Sequence, residues 1–461
     1  MDETTASLSE AAFSTRGDAA LALVIAWSAA EPWRTGEVAL FGMEAREAFT
    51  LGRGDGDGPR VVFHRQRPGV LEARPGLEGA AISRKQLEVR LRAGGLSIER
   101  VGRCPMRVNG TDLDRALLAP GDVVHLVGQL VLFCTLRPRG PLAPCEYYRE
   151  SSELGAPDSL GIVGESPAAW ALRDRLAFAG TLDVHTLLLG ESGTGKELAA
   201  RAVHRLSARS AKKLVARNAA TLPAGLVDAE LFGNVKNYPN PGMPERPGLV
   251  GEANGGTLFL DEIGELPQEL QAHLLRMLDR GGEYQRLGEA KTHHADIRFI
   301  GATNRSMESL KHDLLARFQL RIGVPALAAR KEDLPLIAHH LASRMRRENP
   351  QLVSLARRAD DKPLSTAEVD VLLRRDYPAN VRDLETALLE AFAPKAIDRP
   401  LAVPAGAARA AVVSADEPSE ALLRDVIAKH GTGRDATKAL GLGSRYELLR
   451  LMKKYGIPGG A

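Results

Sequence analysis

From Leu21 to about Arg139 the chain alternates short apolar runs (LALVIAW, AFTLG, RVVFH, LEVRLRA, LSIERV, DVVHLV, LVLFCTL) with Gly, Pro and Asp turns. Runs of this length and spacing predict an all-β domain, sandwich or barrel, over 21–139, after an N-terminal segment 1–20. A proline-containing linker, 140–159, follows. Over 160–330 the order becomes strand then helix: HTLLLG then KELAARAVHRL, KLVARN then a loop, TLFLDE then ELQAHLLRMLDR, and IRFIGATN. Continuous apolar strands between amphipathic helices predict an α/β domain whose parallel sheet is covered on both faces. Residues 331–394 read as helices only and predict a helical lid, with Ser365 and Glu368 spaced as a capping box. An Ala- and Pro-rich linker, 395–418, precedes a compact all-α unit at 419–461. No internal repeat is visible.

Composition changes this picture little. Of 461 residues, 44% are hydrophobic and 26% charged, the profile of a multidomain globular chain and not of a disordered one. Lys and Arg number 61 against 58 Asp and Glu. The balance becomes informative only from Pro418 onward, where eight basic residues face four acidic ones. The apolar run from Ala19 to Ala30 is too short to span a bilayer and follows an acidic leader, so a buried strand is expected rather than a signal peptide or membrane anchor. Cys104, Cys134 and Cys145 form no metal-spaced pair and predict a reducing, cytoplasmic setting. The doublet His293-His294 lacks a companion ligand in sequence and is expected to be exposed.

The chemistry concentrates in two stretches. Gly190, Glu191, Ser192, Gly193, Thr194, Gly195 and Lys196 spell G-x-x-x-x-G-K between a strand and a helix. Such a loop closes backbone N–H groups around phosphate oxygens, aided by the helix N-terminus, while the lysine reaches the outer phosphates. Glu197 stands where a Ser or Thr usually holds magnesium. That load then falls on TLFLDE, where Asp261 ends an apolar strand and is placed for Mg2+, with Glu262 beside it as base or water-orienting residue.

These residues resemble the AAA+ domain of bacterial enhancer-binding proteins, the ATPases that activate RNA polymerase carrying sigma-54. The resemblance runs from about Gly161 to Ala393 and rests on GESGTGKE, which includes Glu197, and GGTLFLDEIGELP. It implies ATP and Mg2+ as cofactors. It further implies roles for Asn218 (switching the catalytic Glu262), Asn304 (first sensor), Arg382 in YPANVRDLE (second sensor) and Arg317 in HDLLARFQL (reaching the neighbouring subunit's nucleotide). A homo-oligomer, dimer to hexameric ring, follows from the last. Lys311 replaces a first arginine six residues before Arg317 and lacks its planar fork.

The ends carry resemblances of their own. The β domain is similar to a forkhead-associated domain, a phosphothreonine reader, through LGR, SRKQ, VNG and APGDVVHL. Arg53, Ser83 and Arg84 would then grip phosphate on a partner protein. Gln86 and Cys104 depart from that pattern. The tail resembles a Fis-type helix-turn-helix, implying double-stranded DNA as partner, with Arg445 and Tyr446 at base edges and Arg450, Lys453 and Lys454 near phosphates.

Two functions share these motifs. One is a DNA-bound ATPase ring, under phosphothreonine control, that remodels sigma-54 polymerase. The other is a DNA-bound regulator or scaffold whose ATP site sets oligomeric state without touching sigma-54. The stretch after LFG (Leu231–Gly233) separates them: where the resemblance implies a GAFTGA tip, Asn237, Tyr238, Pro239, Asn240, Pro241 and Gly242 stand instead. Two prolines fix φ and remove N–H donors there.

Overall fold

The computed structural model describes residues 19–42, 48–54, 58–150, 156–223, 225–279, 281–349 and 364–392, with the single positions 424 and 452. Among the described residues, twelve strands form the β domain: β1 (Ala19–Ser28), β2 (Val38–Phe41), β3 (Phe49–Leu51), β4 (His64–Arg67), β5 (Val70–Ala73), β6 (Leu87–Arg92), β7 (Gly95–Arg100), β8 (Met106–Val108), β9 (Thr111–Asp112), β10 (Arg115–Leu118), β11 (Val123–Leu126) and β12 (Leu130–Pro138). One sheet runs β5-β4-β2-β1-β12-β11-β8-β9 and the other β10-β7-β6-β3. Alternate residues of β1 and β12, including Leu23, Ile25, Leu130, Leu132 and Cys134, meet Leu87, Val89, Leu96 and Ile98 of the second sheet in one core. The run at Ala19–Ala30 is thus the central strand β1, paired with β12 from Ala19 opposite Pro138. RVVFH proves to be mostly irregular; the strand starts at His64 and continues into the polar HRQR.

The central sheet contains β13 (Thr186–Leu189), β14 (Leu214–Asn218), β15 (Thr257–Asp261), β18 (Arg298–Thr303) and β19 (Leu320–Gly323), in the order β14-β15-β18-β13-β19. All pairs are parallel. A small hairpin, β16 (Glu283–Gln285) with β17 (Thr292–His294), stands apart. The helices are α1 (Pro167–Thr181), α2 (Lys196–Arg205), α3 (Val227–Phe232), α4 (Gly248–Glu252), α5 (Gln268–Leu278) and α6 (His312–Arg317), then the lid helices α7 (Leu334–Glu348), α8 (Thr366–Arg374) and α9 (Val381–Phe392). Successive strand residues face opposite sides. Leu188, Phe259 and Ile300 pack with α1 and α2, while Leu187, Leu258, Leu260 and Phe299 pack with α3, α4 and α5.

Segment 140–150 is packed rather than loose, since Leu142 and Tyr148 are buried against α1. Ser365 and Glu368 form the expected reciprocal capping box on α8. All three cysteines are free thiols. The expectation of exposure fails for His293. It is half-buried, accepts or donates at 2.8 Å to Glu289 and lies against the Tyr284 ring, so the hairpin uses it as a packing residue.

The β domain and the lid share a core. Ala26, Trp27, Val131 and Phe133 cluster with Leu336, Ile337, Leu341, Leu372 and Leu373, and the Trp27 ring lies 5.4 Å from His339 of α7. Buried Arg137 of β12 bonds Glu332 at 3.0 Å, and Arg67 of β4 bonds Glu165 at 2.8 Å. Both carboxylates flank the junction between sheet and lid, where Asp333 accepts the backbone N–H groups of Glu165 and Ser166 at 2.7 and 2.8 Å. Burial pushes Glu332 up to about 7, against the pull of Arg137.

Candidate nucleotide site

Ligand sites of open parallel sheets lie beyond the carboxyl ends of the strands. Here the ends of β13, β15 and β18 deliver the loop 190–196, the pair Asp261-Glu262 and Asn304 to one place. Lys196 opens α2, and its buried ammonium donates to the Gly190 and Glu191 carbonyls at 2.9 and 3.0 Å. It stands 3.8 Å from Glu262. Thr194 Oγ1 donates to Glu191 O at 2.9 Å, tightening the turn. Gly193 has φ +74°, and a Cβ there would sit 2.1 Å from Ala379 O of the lid, so this position demands glycine twice over.

The acidic pair occupies a tight corner. Asp261 Oδ1 accepts the Glu262 N–H at 3.0 Å. Glu262 has φ +53°, a left-handed conformation that glutamate rarely adopts and that locates strain at the carboxyl end of β15. Its Oε2 accepts the Asn304 N–H at 3.2 Å. The lid closes the other side: Arg382 Nη1 donates to Ser192 Oγ at 3.2 Å.

Lys196, Asp261, Glu262, Asn304 and Arg382 are therefore brought to one place. Three other residues are placed differently. Asn218 lies beside Asp261 in register, but its side-chain oxygen accepts the Ala220 N–H at 2.9 Å and caps a 3-10 turn instead of facing Glu262. Glu197 points outward and pairs with Arg201, one helical turn on, at 2.7 Å. Arg317 is half-exposed and paired with Asp279 of its own chain at 2.6 Å.

The donor set fits a nucleotide with magnesium. No group of three or more His, Cys, Asp or Glu residues able to hold a metal occurs among the described residues. Magnesium keeps several waters and takes one or two carboxylates plus phosphate oxygens, so Asp261 next to a phosphate loop is sufficient.

In the β domain, Arg53 N–H donates to Ser83 O at 3.0 Å, and Ser83 Oγ accepts the Arg103 N–H at 3.1 Å. Arg84 is exposed beside them. Sequence reasoning missed Arg60, whose guanidinium donates to the carbonyls of Gly52, Arg53 and Arg84 at 3.1, 3.3 and 3.2 Å and ties the two loops together. The two departures from the forkhead-associated pattern meet each other: fully buried Gln86 donates to Cys104 O at 2.8 Å and accepts Cys104 N–H and Ser83 N–H, both at 3.3 Å.

The stretch after Leu231–Gly233 folds into a closed loop. Asn234 is buried and donates to Val235 O and Pro244 O at 3.0 and 2.9 Å, and its backbone pairs with Arg246. Val235 N–H bonds Leu287 O at 3.1 Å. Asn237 through Gly242 remain exposed at its tip. The DNA candidates Arg445, Tyr446, Arg450, Lys453 and Lys454 lie outside the described residues.

A comparison with protein families bears directly on this domain. Residues 162–323 match the sigma-54 interaction domain. The transcriptional regulatory protein ZraR of Salmonella typhimurium is 38% identical over 236 residues, 50% of this chain and 52% of ZraR. The Nif-specific regulatory protein of Rhizobium etli is 34% identical over 310 residues, 64% of this chain and 51% of that protein. The chain thus spans about half the length of the curated relatives it matches. Among solved structures, NtrX from Brucella abortus in complex with ADP is 28% identical, with 65% of this chain and 70% of that chain covered and a TM-score of 0.45. Among the described residues no helix is long and apolar enough to cross a membrane.

Proposed function

We propose that the chain binds and hydrolyses ATP in its central domain and uses that cycle to regulate transcription by acting on sigma-54 RNA polymerase from a DNA-bound position. The observation that carries this reading is the convergence of Lys196, Asp261, Glu262, Asn304 and Arg382 on one phosphate loop, inside a domain that matches the sigma-54 interaction model. The loop 190–196 and Lys196 would cradle the β- and γ-phosphates, and Asp261 would hold magnesium, which when bound neutralises charge on the transferring phosphoryl group. Glu262 would orient or deprotonate the attacking water, with the Asn304 N–H fixing its second oxygen. Arg382 would bring the lid onto the phosphates through Ser192.

In a homo-oligomeric ring, Arg317 would serve a neighbour's nucleotide after leaving Asp279. A transferable arginine of this kind is worth about 10³–10⁵ in rate. The β domain would read a phosphothreonine protein through Arg53, Ser83 and Arg84, and the 419–461 segment would bind upstream DNA.

The closed loop at 234–246 favours a second reading, in which the ring sets oligomeric state on DNA and does not engage sigma-54. Its tip presents Tyr238 after Asn237 and before Pro239, Asn240 and Pro241, and its base is sewn to residue 287, unlike a free hydrophobic probe. Incubation of the purified chain with sigma-54, ADP and aluminium fluoride separates the two. A stable complex is expected from the first reading; its absence at undiminished ATP turnover establishes the second.

A further inference from the structure

Asn380 has no part in the mechanism above, yet its side chain makes three hydrogen bonds beside the phosphate loop. It is 1% exposed and has φ +55°, a conformation that asparagine tolerates better than other non-glycine residues. Its Nδ2 donates to Glu191 Oε2 at 2.9 Å and to Ser192 O at 3.0 Å, both in the phosphate loop. Its Oδ1 accepts the Leu327 N–H at 2.7 Å, at the junction between sheet and lid. Three of the amide's four bonding positions are filled, and a flipped amide would set an oxygen against two acceptors, so the network fixes its orientation. The next residue continues the seam, because Val381 N–H donates to Gly193 O at 3.1 Å. Arg382 follows with its bond to Ser192 Oγ.

We propose that Asn380 is a positioning residue: it latches the lid to the phosphate loop and to the lid's own hinge, so that Arg382 is presented to the nucleotide. This rests on the ATP-binding reading of the loop. The latch is made of two hydrogen bonds into the loop, one of them to the Glu191 carboxylate. A glycine would satisfy the backbone but supply none of these bonds. Aspartate would keep the acceptor for Leu327 while setting two carboxylates against each other.

The test uses Asn380→Asp, Glu191→Gln and the double variant in the full chain. Amide hydrogen exchange without nucleotide should show Val381 and residues 190–195 exchanging about 10- to 100-fold faster in Asn380→Asp, the range expected for losing a hydrogen bond to a charged group. Glu191→Gln in the same chain should restore much of the protection, since its amide can donate to the new carboxylate. A fluorescent ATP analogue should bind more weakly in Asn380→Asp by a similar factor, and Arg382→Ala should add little on top. Unchanged exchange at Val381, no recovery in the double variant, or full additivity with Arg382→Ala would each overturn the latch. Failure of the parent chain to bind the analogue would instead overturn the ATP reading, leaving the exchange result to stand by itself.

Discussion

Removing the Arg137 guanidinium with Arg137→Met tests how firmly the β domain is fused to the lid. Arg137 is 1% exposed, bonds Glu332 at 3.0 Å through Nε and reaches Glu165 O at 3.3 Å and Gln66 Oε1 at 3.4 Å through Nη1. Methionine keeps most of the volume but strands the Glu332 charge in the interface. Breaking one side of a buried ion pair costs about 3–5 kcal/mol. Glu332 is already raised to about 7 by burial, so it escapes part of that cost by taking a proton. A carboxyl whose folded pKa lies above its unfolded one loses stability as pH rises and regains it as pH falls toward the unfolded value. The penalty should therefore be full at pH 8 and visibly smaller at pH 6. Glu332→Gln placed on top removes the charge, and the double variant should return to within about 1–2 kcal/mol of the parent. Urea unfolding followed by tryptophan fluorescence reads the seam, since Trp27 lies against His339 and Trp170 donates to Glu165 at 3.2 Å. At roughly 3 kcal/mol/M, the single variant should lower the midpoint at pH 8 by about 1–1.7 M. An unchanged midpoint, or a double variant no more stable than the single, would refute this account of the junction.

Other outcomes follow from the same geometry. Gly193→Ala drives a Cβ to 2.1 Å from Ala379 O at φ +74°, so nucleotide affinity measured by fluorescence titration should fall at least about tenfold while the β domain's circular dichroism is retained. Gly288→Ala places a Cβ 2.5 Å from Tyr238 Cγ at φ +79°, and the Asn237 N–H, bonded to Met243 O at 2.8 Å, should lose hydrogen-exchange protection as the loop is displaced. Burial lowers the pKa of His125, His185, His204, His339 and His340. Groups kept neutral in the fold take up protons on unfolding, so the melting temperature should drop as pH falls from about 7 to 5.5, outweighing the opposite trend of Glu332.

The strands and the phosphate loop were legible in the sequence because they rest on local signals: apolar runs between turns, and glycines at fixed spacing before a lysine. The pairing of Glu197 with Arg201 rests on a local spacing too, four residues apart on one exposed helix face. Helix α1 was not legible. Its residues are apolar around most of the circumference, and buried Arg173, bonded to Asp158 at 2.7 Å, looks polar in sequence. Arg60, Asn380 and the Arg317–Asp279 pair depend on partners brought near by the fold, and no spacing announces them. Asn218 shows the converse limit: strand register sets it beside Asp261, but side-chain direction is set by the Ala220 N–H.

Steady-state ATP hydrolysis by Glu262→Gln, with ATP affinity measured on the same preparation, bears most directly on the central claim. In the proposed mechanism Glu262, held by the Asn304 N–H and 3.8 Å from Lys196, acts on water and is not part of the phosphate cradle. The variant should bind ATP within a few-fold of the parent and turn it over about 10²–10⁴ times more slowly. Turnover equal to that of the parent, or loss of ATP binding with the carboxylate, would contradict the assignment of Glu262 and the nucleotide site built around it.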